Sequence, residues 1–268
     1  MTLKVSELMS VDYETVDKDQ ILSDALKLMR KKDISRLIVT EDSKVVGVLS
    51  FRDVADRLGT GRTDGISSKT LRISSAMSYP IIPIEPSADI KEAAKLMIAK
   101  GISSLVVMEN DECKGLLTKF DLLETYKDCK SLLVQDIMTK DTYSITPNER
   151  VLSARQIMMN NKFSVLPIVN DDGELTGVVD DEQLADALAK FRDSIPIKHQ
   201  KNKLHEFFVG QVMRRDLTTI NPESPVCDLV DLFKETRSKG IIVVNEINNI
   251  EGIVTVTDVA NAIGEGRN

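Results

Sequence analysis

Three short segments of the chain place a hydroxyl and a carboxylate at a fixed spacing. Each follows the pattern Gly-apolar-apolar-Ser/Thr-x-x-Asp, and the three hydroxyl and acid pairs are Ser50 with Asp53, Thr118 with Asp121, and Thr255 with Asp258. An ionised carboxylate has two acceptor oxygens, so it binds the two O–H donors that a cis-diol presents. The same spacing fits a capping box, in which the hydroxyl caps a helix and the acid reaches back to it. The sequence therefore predicts either a diol-binding carboxylate or a helix start.

A fourth segment keeps the glycine and the apolar residues but has no hydroxyl. Asp180 stands at the hydroxyl position and Gln183 at the acid position. Both residue types serve in a helix cap, so this segment predicts a helix start without a diol site. A plain cap would accept Glu or Gln at the last position. The recurrence of Asp in the other three segments therefore favours the binding interpretation there.

The four segments end the strands of a repeat that spans the chain, here numbered repeats 1 to 4. A methionine precedes each segment's glycine by 38 or 39 residues, giving the pairs Met9 and Gly47, Met77 and Gly115, Met138 and Gly177, and Met213 and Gly252. Apolar residues recur at fixed offsets after each methionine, and their separations of three and seven place them on one helix face. Each repeat therefore predicts the order strand, helix, strand, strand, helix.

Repeat 2 shows these elements most clearly. Proline favours an extended segment over residues 79–84, and a helix then runs to Lys100 and ends at Gly101. Residues 104–108 and 115–117 predict strands, and the last helix begins at Thr118. Residues 59–70 and 192–206 predict connectors, the second a solvated linker that carries His199 and His205.

The repeat and its polar ending together resemble the CBS domain, named for cystathionine β-synthase. The resemblance covers residues 4–60, 72–127, 132–191 and 208–264, which correspond to repeats 1 to 4. It implies a mixed α/β (α+β) fold in which four β-α-β-β-α units pair into two Bateman modules. Four such units without a catalytic domain also resemble the regulatory gamma subunit of AMP-activated protein kinase.

The resemblance implies that AMP, ADP or ATP binds in clefts between paired units, with the Asp on the ribose hydroxyls and the Ser or Thr alongside. We call the four residues Ser/Thr-x-x-Asp, and their equivalent in repeat 3, the tetrad. The glycine that precedes the tetrad would leave the backbone without a side chain where the ligand passes. Basic residues for the phosphate end would be Arg36, Lys239, Arg52 and Lys119, and Thr257 would be a further ligand-binding residue. A surface arginine that extends its charge into water is the alternative interpretation of Arg36. Repeats 2 and 3 have Ser104 and Val165 where repeat 1 has Arg36.

Adenine would lie against the first extended segment of the partner unit. The resulting pairings are Asp53 with Ile81 and Ile82, Asp121 with Thr15 and Val16, and Asp258 with Thr142 and Tyr143. Ordinary strand core is the alternative interpretation of the aliphatic residues in this set.

Composition excludes several other classes of function. A net charge of −7 and a pI of about 5.1 argue against a nucleic-acid or anionic-membrane partner. No apolar run approaches the ~18 residues of a membrane span, so a cytoplasmic protein is expected. The three cysteines are scattered and the two histidines lie in the linker, so no metal site is expected. The sequence contains no catalytic triad and no phosphate-binding glycine loop, so an enzyme is not expected.

The expected function is a non-catalytic regulatory module that couples adenine-nucleotide binding to a partner protein whose identity the sequence leaves open. The two modules would close within one chain or through a homodimer. Two alternatives stay open. One is a structural adaptor with empty clefts. The other is a sensor of S-adenosylmethionine, because a sulfonium ligand needs no phosphate-binding cation.

Overall fold

The protein is described by a computed structural model over residues 3–60, 66–247 and 249–267. Repeat 1 forms α1 (Val5–Leu8), β1 (Thr15–Asp17), α2 (Leu22–Lys32), β2 (Arg36–Glu41), β3 (Lys44–Ser50) and α3 (Phe51–Leu58). Repeat 2 forms a 3-10 turn (Ile73–Ser75), β4 (Pro83–Ile84), α4 (Ile90–Lys100), β5 (Ser104–Glu109), β6 (Glu112–Thr118) and a second 3-10 segment (Asp121–Tyr126).

The second half of the chain follows the same order. Repeat 3 forms α5 (Val134–Ile137), α6 (Val151–Asn161), β7 (Val165–Val169), β8 (Leu175–Asp180) and α7 (Asp181–Ser194). Helix α8 (Ile197–His205) comes next, and repeat 4 forms a 3-10 turn (Val209–Gln211), β9 (Thr219–Ile220), α9 (Val226–Thr236), β10 (Gly240–Val244), β11 (Ile250–Thr255) and α10 (Val256–Glu265). The predicted mixed α/β class is confirmed.

Local sequence signals account for the helix ends. The Asp89 carboxylate accepts a hydrogen bond from the Lys91 amide at 2.8 Å and caps α4. Gly101 ends the same helix in the left-handed conformation, with φ 65°. The Asp180 carboxylate caps α7 through the amides of Glu182 and Gln183, at 2.8 and 3.1 Å. The predicted helix start without a hydroxyl is therefore present in repeat 3.

Three predicted elements differ from the structure. Residues 121–126 form a 3-10 helix instead of an α-helix, and its six residues make it longer than the usual 3-10 run of about three or four. In repeat 3 the predicted first strand is reduced to a bridge between Ile145 and Ile168. The prediction of a solvated linker over residues 192–206 was wrong in part, because Ile197–His205 forms α8, with Gln200 and Leu204 buried. The side chain of Gln200 donates to the Arg192 and Ile195 carbonyls at 3.0 and 2.8 Å.

Repeats 1, 2 and 4 each have a three-stranded sheet with the same strand order, and repeat 3 has the two-stranded sheet formed by β7 and β8. In repeat 1, β1 pairs in parallel with β2, and β2 pairs in an antiparallel manner with β3, opposing Arg36 and Ser50. In repeat 4, β9 pairs in parallel with β10, and β10 with β11 opposes Gly240 and Thr255. This register places the start of the second strand beside the polar tetrad that ends the third.

The described residues form two compact units that do not follow chain order. The odd-repeat unit comprises Tyr13–Ile81 and Ser144–Arg215, and therefore the bodies of repeats 1 and 3. The even-repeat unit comprises Met1–Asp12, Ile82–Tyr143 and Asp216–Asn268, and therefore the bodies of repeats 2 and 4. Each unit has its own hydrophobic core. Within the described part of the chain, no helix is long and apolar enough to cross a membrane.

Each unit also contains short segments of the other repeats, because the segment around each methionine packs on the body of a neighbouring repeat. Repeats 1 and 2 exchange these segments, and so do repeats 3 and 4. The bridges formed by the residue after each methionine are Ser10 with Leu116, Ser78 with Val48, Thr139 with Ile253, and Arg214 with Val178.

The exchanged segments explain the glycine of each tetrad pattern. A β-carbon added at Gly47 would lie 2.8 Å from the Ser78 carbonyl oxygen, and one at Gly252 would lie 2.7 Å from that of Thr139. The expectation that this glycine makes room for a ligand was therefore wrong. The space beside it is filled by the exchanged chain.

Candidate functional site

The Asp53 carboxylate lies where β3 ends and α3 begins. Its Oδ2 accepts the Ser50 amide at 2.8 Å and the Ser50 hydroxyl, which closes the capping box. Its Oδ1 accepts the Ser78 hydroxyl at 2.6 Å from the exchanged segment. One oxygen thus serves the helix start, and the other faces a neighbouring strand.

The surroundings of Asp53 act on its charge in opposite directions. Burial raises the pKa of this carboxyl above its ordinary value of 3.8, while the hydrogen bonds from Ser50 and Ser78 and the charge of Arg36 lower it. Burial is the larger effect. A carboxylate held in a partly desolvated place with a nearby cation is typical of ligand-binding positions.

Asp258 repeats this arrangement in the even-repeat unit. Its Oδ2 accepts the Thr255 amide and the Thr255 hydroxyl, both at 2.7 Å, and its Oδ1 accepts the Thr139 hydroxyl at 3.1 Å. Burial raises the pKa of Asp258, and hydrogen bonds from Thr255 and Thr139 oppose the rise. The two carboxylates therefore have matching partners, although they lie in different units.

The other two tetrads also start a helical segment. Asp121 Oδ2 accepts the Thr118 amide at 2.7 Å and the Thr118 hydroxyl at 2.8 Å. In repeat 3 the Gln183 side chain accepts the Asp180 amide at 2.9 Å, so it reaches back as a capping residue. The capping interpretation is thus observed in all four repeats. A second oxygen turned toward a hydroxyl of the exchanged segment is observed at Asp53 and Asp258.

The predicted cations divide into two groups. Arg36 is the first residue of β2 in repeat 1, and Lys239 immediately precedes β10 in repeat 4. Arg36 acts electrostatically on Asp53. The Arg36 guanidinium also donates to the Ser35 hydroxyl at 2.9 Å. These two residues stay candidates for the phosphate end of a ligand.

Arg52 and Lys119 have other contacts, so the phosphate role predicted for them is not the one that the geometry favours. Arg52 donates to the carbonyls of Met158 and Phe163, both at 2.9 Å, at the end of α6. A cation at a helix C-terminus satisfies carbonyls that lack an intrahelical partner. Lys119 is buried, and its ammonium donates to the Thr257 hydroxyl at 3.1 Å. Two predicted site residues, Lys119 and Thr257, are therefore brought together with each other.

The residues predicted to contact adenine have mixed surroundings. Thr142 and Tyr143 follow Thr139 in the even-repeat unit, and Tyr143 is half exposed. Ile81 follows Ser78 in the odd-repeat unit, whereas Ile82 packs on the core of the even-repeat unit. Their roles stay predictions.

The pairing predicted for Asp121 involves Thr15 and Val16. Thr15 and Val16 lie on β1 in the odd-repeat unit, and Asp121 lies in the even-repeat unit. Val16 is buried in the core, which fits the ordinary core interpretation. Their contact with a ligand stays a prediction.

The sequence interpretation missed Ser78 and Thr139. A signal for them exists, because the residue after the methionine is Ser10, Ser78, Thr139 or Arg214. The hydroxyl is present in the segments that cross to repeats 2, 1 and 4, and it is absent from the segment that crosses to repeat 3. Finding this match requires knowing that the segments are exchanged, which the repeat pattern alone does not show.

The structure offers no alternative metal centre in the residues that it describes. No group of three or more His, Cys, Asp or Glu side chains there is placed to hold a metal ion. Cys113, Cys129 and Cys227 form no disulfide within the described part of the chain.

Comparison with known proteins identifies the class. The CBS domain family matches residues 5–60, 73–128, 134–190 and 209–265. The chain therefore belongs to the CBS-domain family and carries four copies of the domain.

Similar proteins include MJ1225 of Methanocaldococcus jannaschii, with 24% identity over 264 residues, which is 91% of this chain and 93% of that protein. Its crystal structure, described as that of a proposed archaeal homologue of γ-AMPK, superimposes with a TM-score of 0.84 and 21% identity, covering 97% of this chain and 99% of the other. A conserved protein of Pyrococcus horikoshii gives a TM-score of 0.65 at 17% identity, covering 97% and 100%. These structural likenesses show the fold.

Part of the chain also resembles an enzyme. The inosine-5'-monophosphate dehydrogenase of Korarchaeum cryptofilum is 37% identical over 108 residues, which is 40% of this chain and 22% of the enzyme. The match thus concerns a small part of that enzyme.

Proposed function

We propose that the chain is a non-catalytic regulatory module that binds an adenine nucleotide, AMP, ADP or ATP, and couples its occupancy to a partner protein. Its CBS domains occupy all but short segments of the sequence. Binding that favours one arrangement of the domains acts through its difference in affinity for the alternatives.

The observation that carries this proposal is the geometry of Asp53 and Asp258. Each carboxylate is fixed through Oδ2 by its own capping hydroxyl and turns Oδ1 toward the exchanged segment. A fixed, partly buried carboxylate is suited to recognise ribose hydroxyls, because it accepts O–H donors without further ordering. Repeat 3 has a cap but no such carboxylate, and it is therefore proposed to lack a ribose site.

The odd-repeat unit offers the better nucleotide site. Arg36 lies close enough to Asp53 to lower its pKa, so a cation accompanies the proposed ribose contact. Guanidinium groups bind phosphate through two parallel hydrogen bonds. We infer that Asp53 holds the ribose and Arg36 the phosphate of the same nucleotide.

Repeat 2 favours a different ligand. Its Lys119 is directed to Thr257, and Ser104 takes the position of Arg36. A ligand with an adenosyl group but no phosphate, such as S-adenosylmethionine, matches this uncharged position near Asp121. It is therefore the second candidate.

Isothermal titration calorimetry of the whole chain with AMP, ADP, ATP and S-adenosylmethionine tests both candidates. Asp53→Ala and Asp258→Ala should each remove one nucleotide site, whereas Gln183→Ala should leave the binding of AMP unchanged. A loss of binding in the Gln183 variant, with normal binding in both Asp variants, would contradict the proposal. No binding of any of the four ligands at millimolar concentration would leave a structural adaptor as the better description.

A further inference from the structure

The Asp53 carboxylate is already well supplied with donors. A carboxylate has about four lone-pair positions. Three donors of the described chain reach Asp53: the Ser50 amide at 2.8 Å, the Ser50 hydroxyl, and the Ser78 hydroxyl at 2.6 Å. About one position is left, on Oδ1. A cis-diol has two O–H donors, so it competes with one of the hydroxyls already in place.

Of these donors, Ser78 is the one that a ligand displaces most easily. The Ser50 hydroxyl and amide belong to the capping box, so removing them breaks the helix start. Ser78 is exposed, and its backbone is held separately, by hydrogen bonds with Val48 at 2.9 and 3.1 Å. Rotation about its Cα–Cβ bond therefore moves the hydroxyl into water and leaves the strand bridge intact.

Asp258 has the same set of donors. The Thr255 amide and hydroxyl lie on Oδ2, and the Thr139 hydroxyl lies on Oδ1 at 3.1 Å. Thr139 is bridged through its backbone to Ile253, as Ser78 is to Val48. The same arrangement of carboxylate and hydroxyl is therefore present at equivalent positions in both units.

The hydroxyl and the acid occur together along the chain. The repeats with Asp in the tetrad receive Ser10, Ser78 or Thr139 from the exchanged segment, and the repeat with Gln183 receives Arg214. A residue needed only for the strand bridge would form hydrogen bonds through its backbone. Its side-chain type would then not depend on whether the tetrad ends in Asp. In repeat 2 the Ser10 hydroxyl donates to the Asp12 carbonyl at 3.1 Å. The shared task is therefore indicated for Ser78 and Thr139, whose hydroxyls reach the acid of the tetrad.

We propose that the Ser78 and Thr139 hydroxyls are internal competitors of the ligand. In the ligand-free protein each holds the carboxylate oxygen that the second ribose hydroxyl needs, and the ligand takes this oxygen by turning the side chain away. This inference rests on the proposed binding of an adenine nucleotide. Its consequence is that the serine and threonine weaken the preference for ribose over deoxyribose, because a 2'-deoxy ligand uses only the open position.

The test is Ser78→Ala in the full chain, titrated with AMP and with 2'-deoxyAMP. We expect AMP to bind about three- to tenfold more tightly at the Asp53 site, since a net hydrogen bond no longer has to be broken. The affinity for 2'-deoxyAMP should stay unchanged. Ser78→Thr should behave like the natural protein, because Thr139 supplies the same hydroxyl in the even-repeat unit.

Ser75→Ala is the matched control. Ser75 lies in the same exchanged segment and donates its hydroxyl to the Arg72 carbonyl at 2.7 Å, away from Asp53. Its variant should bind both ligands normally. If Ser78→Ala weakens both ligands, Ser78 is a positioning residue. If it changes neither, the hydroxyl does not compete. Either result overturns the proposal while leaving nucleotide binding in place.

The pKa of Asp53 without ligand tests the Ser78 contact separately from nucleotide binding. The Ser78 hydrogen bond lowers the pKa of Asp53, so this pKa should rise further in Ser78→Ala and stay unchanged in Ser75→Ala. An NMR titration that follows the carboxyl carbon of Asp53 measures this pKa in both variants. An unchanged pKa in Ser78→Ala means that the contact does not act on the carboxylate and overturns the inference. A natural chain that binds neither AMP nor 2'-deoxyAMP overturns the proposed function and this inference together.

Discussion

Met77 packs against Gly47 of the repeat that precedes it in the chain. A β-carbon added at Gly47 would lie 3.1 Å from the Met77 sulfur and 2.8 Å from the Ser78 carbonyl oxygen. The other methionines and glycines form the equivalent contacts Met9 with Gly115, Met138 with Gly252, and Met213 with Gly177. This contact brings the exchanged strand close enough for the Ser78 hydroxyl to reach Asp53.

Gly47→Ala should therefore destabilise the protein. The nearest atom is a backbone oxygen, which a side-chain rotation cannot move, so the exchanged strand has to shift. Overpacking of this kind costs about 1–3 kcal/mol of unfolding free energy. Urea denaturation measures it.

Gly264→Ala is the matched control for Gly47→Ala. Gly264 lies in helix α10, where an added β-carbon would be 3.4 Å from the flexible Lys95 side chain. Alanine is favoured over glycine in a helix, so this variant should be neutral or slightly more stable. Equal stability losses in the two variants would show that the exchanged strand does not need the glycine.

Arg155 provides a second test of packing, inside the odd-repeat unit. The residue is 7% exposed, and its guanidinium donates to the Ala55 and Asp56 carbonyls at 3.1 and 3.0 Å and to the Asp56 carboxylate, near the end of α3. Arg155→Met keeps most of the volume but removes these donors. We expect a loss of about 2–4 kcal/mol of unfolding free energy in chemical denaturation.

A surface pair serves as its control. Lys27 and Asp24 form an exposed ion pair on one helix face, with 70% and 61% of their side chains accessible. Lys27→Met should change the unfolding free energy by less than about 0.5 kcal/mol. A loss in Arg155→Met no larger than this would show that the buried guanidinium is not needed between repeats 1 and 3.

Much of each repeat is predictable because its signals are local. The helix start at Thr255 follows from the order hydroxyl, two residues, acid, and the end of α4 follows from Gly101. The exchange of segments is not local. Gly47 and Gly115 stand in the same pattern, so the sequence does not say which of them Met9 contacts.

The contacts of Arg52 and Lys119 were not predicted, for the same reason. The direction of Arg52 depends on where the carbonyl of Met158 lies, 106 positions away. Lys119 reaches Thr257, which is 138 positions away. A basic residue inside a tetrad looks available for phosphate until the packing partner of its helix is known. Ser78 is the converse case, because its hydroxyl looks like a surface group until its strand is placed beside Asp53.

Asp258→Glu separates the capping role from ligand binding. Glu serves as well as Asp at the third position of a helix, so the melting temperature without ligand should change by less than about 2 °C. The added methylene moves the carboxylate by about 1.5 Å, one C–C bond length. Misplaced hydrogen bonds to a charged acceptor should then weaken AMP binding at that site by at least about tenfold, measured by calorimetry.

Gln183→Glu is the control for that substitution, because it lies at the same helix position in repeat 3, where Gln183 caps α7. It should alter neither the melting temperature nor the affinity for AMP. Normal AMP binding in Asp258→Glu, or early melting without ligand, would assign Asp258 a structural role alone.

The raised pKa values of Asp53 and Asp258 predict a pH dependence with a definite sign. Both folded values lie above the ordinary 3.8, so between 3.8 and the folded pKa the folded chain binds more protons than the unfolded chain. The contribution of each group to stability therefore falls as the pH rises through that window. Ribose hydroxyls donate to the ionised form, so nucleotide binding should show the opposite trend and weaken as the pH falls into the same window.

Thermal melting with and without AMP across an acid pH series measures both trends. The stabilisation by AMP should shrink as the pH falls. In Asp53→Asn the part of this stabilisation that comes from the Asp53 site should be lost at every pH, because an amide offers the ribose a single, uncharged acceptor, while the part from the Asp258 site should remain and keep its pH dependence. Without ligand, the natural chain should gain stability relative to Asp53→Asn as the pH falls through the window, since its buried charge is neutralised there. AMP stabilisation that stays constant across the window would show that the ionised carboxylate of Asp53 does not bind the ligand.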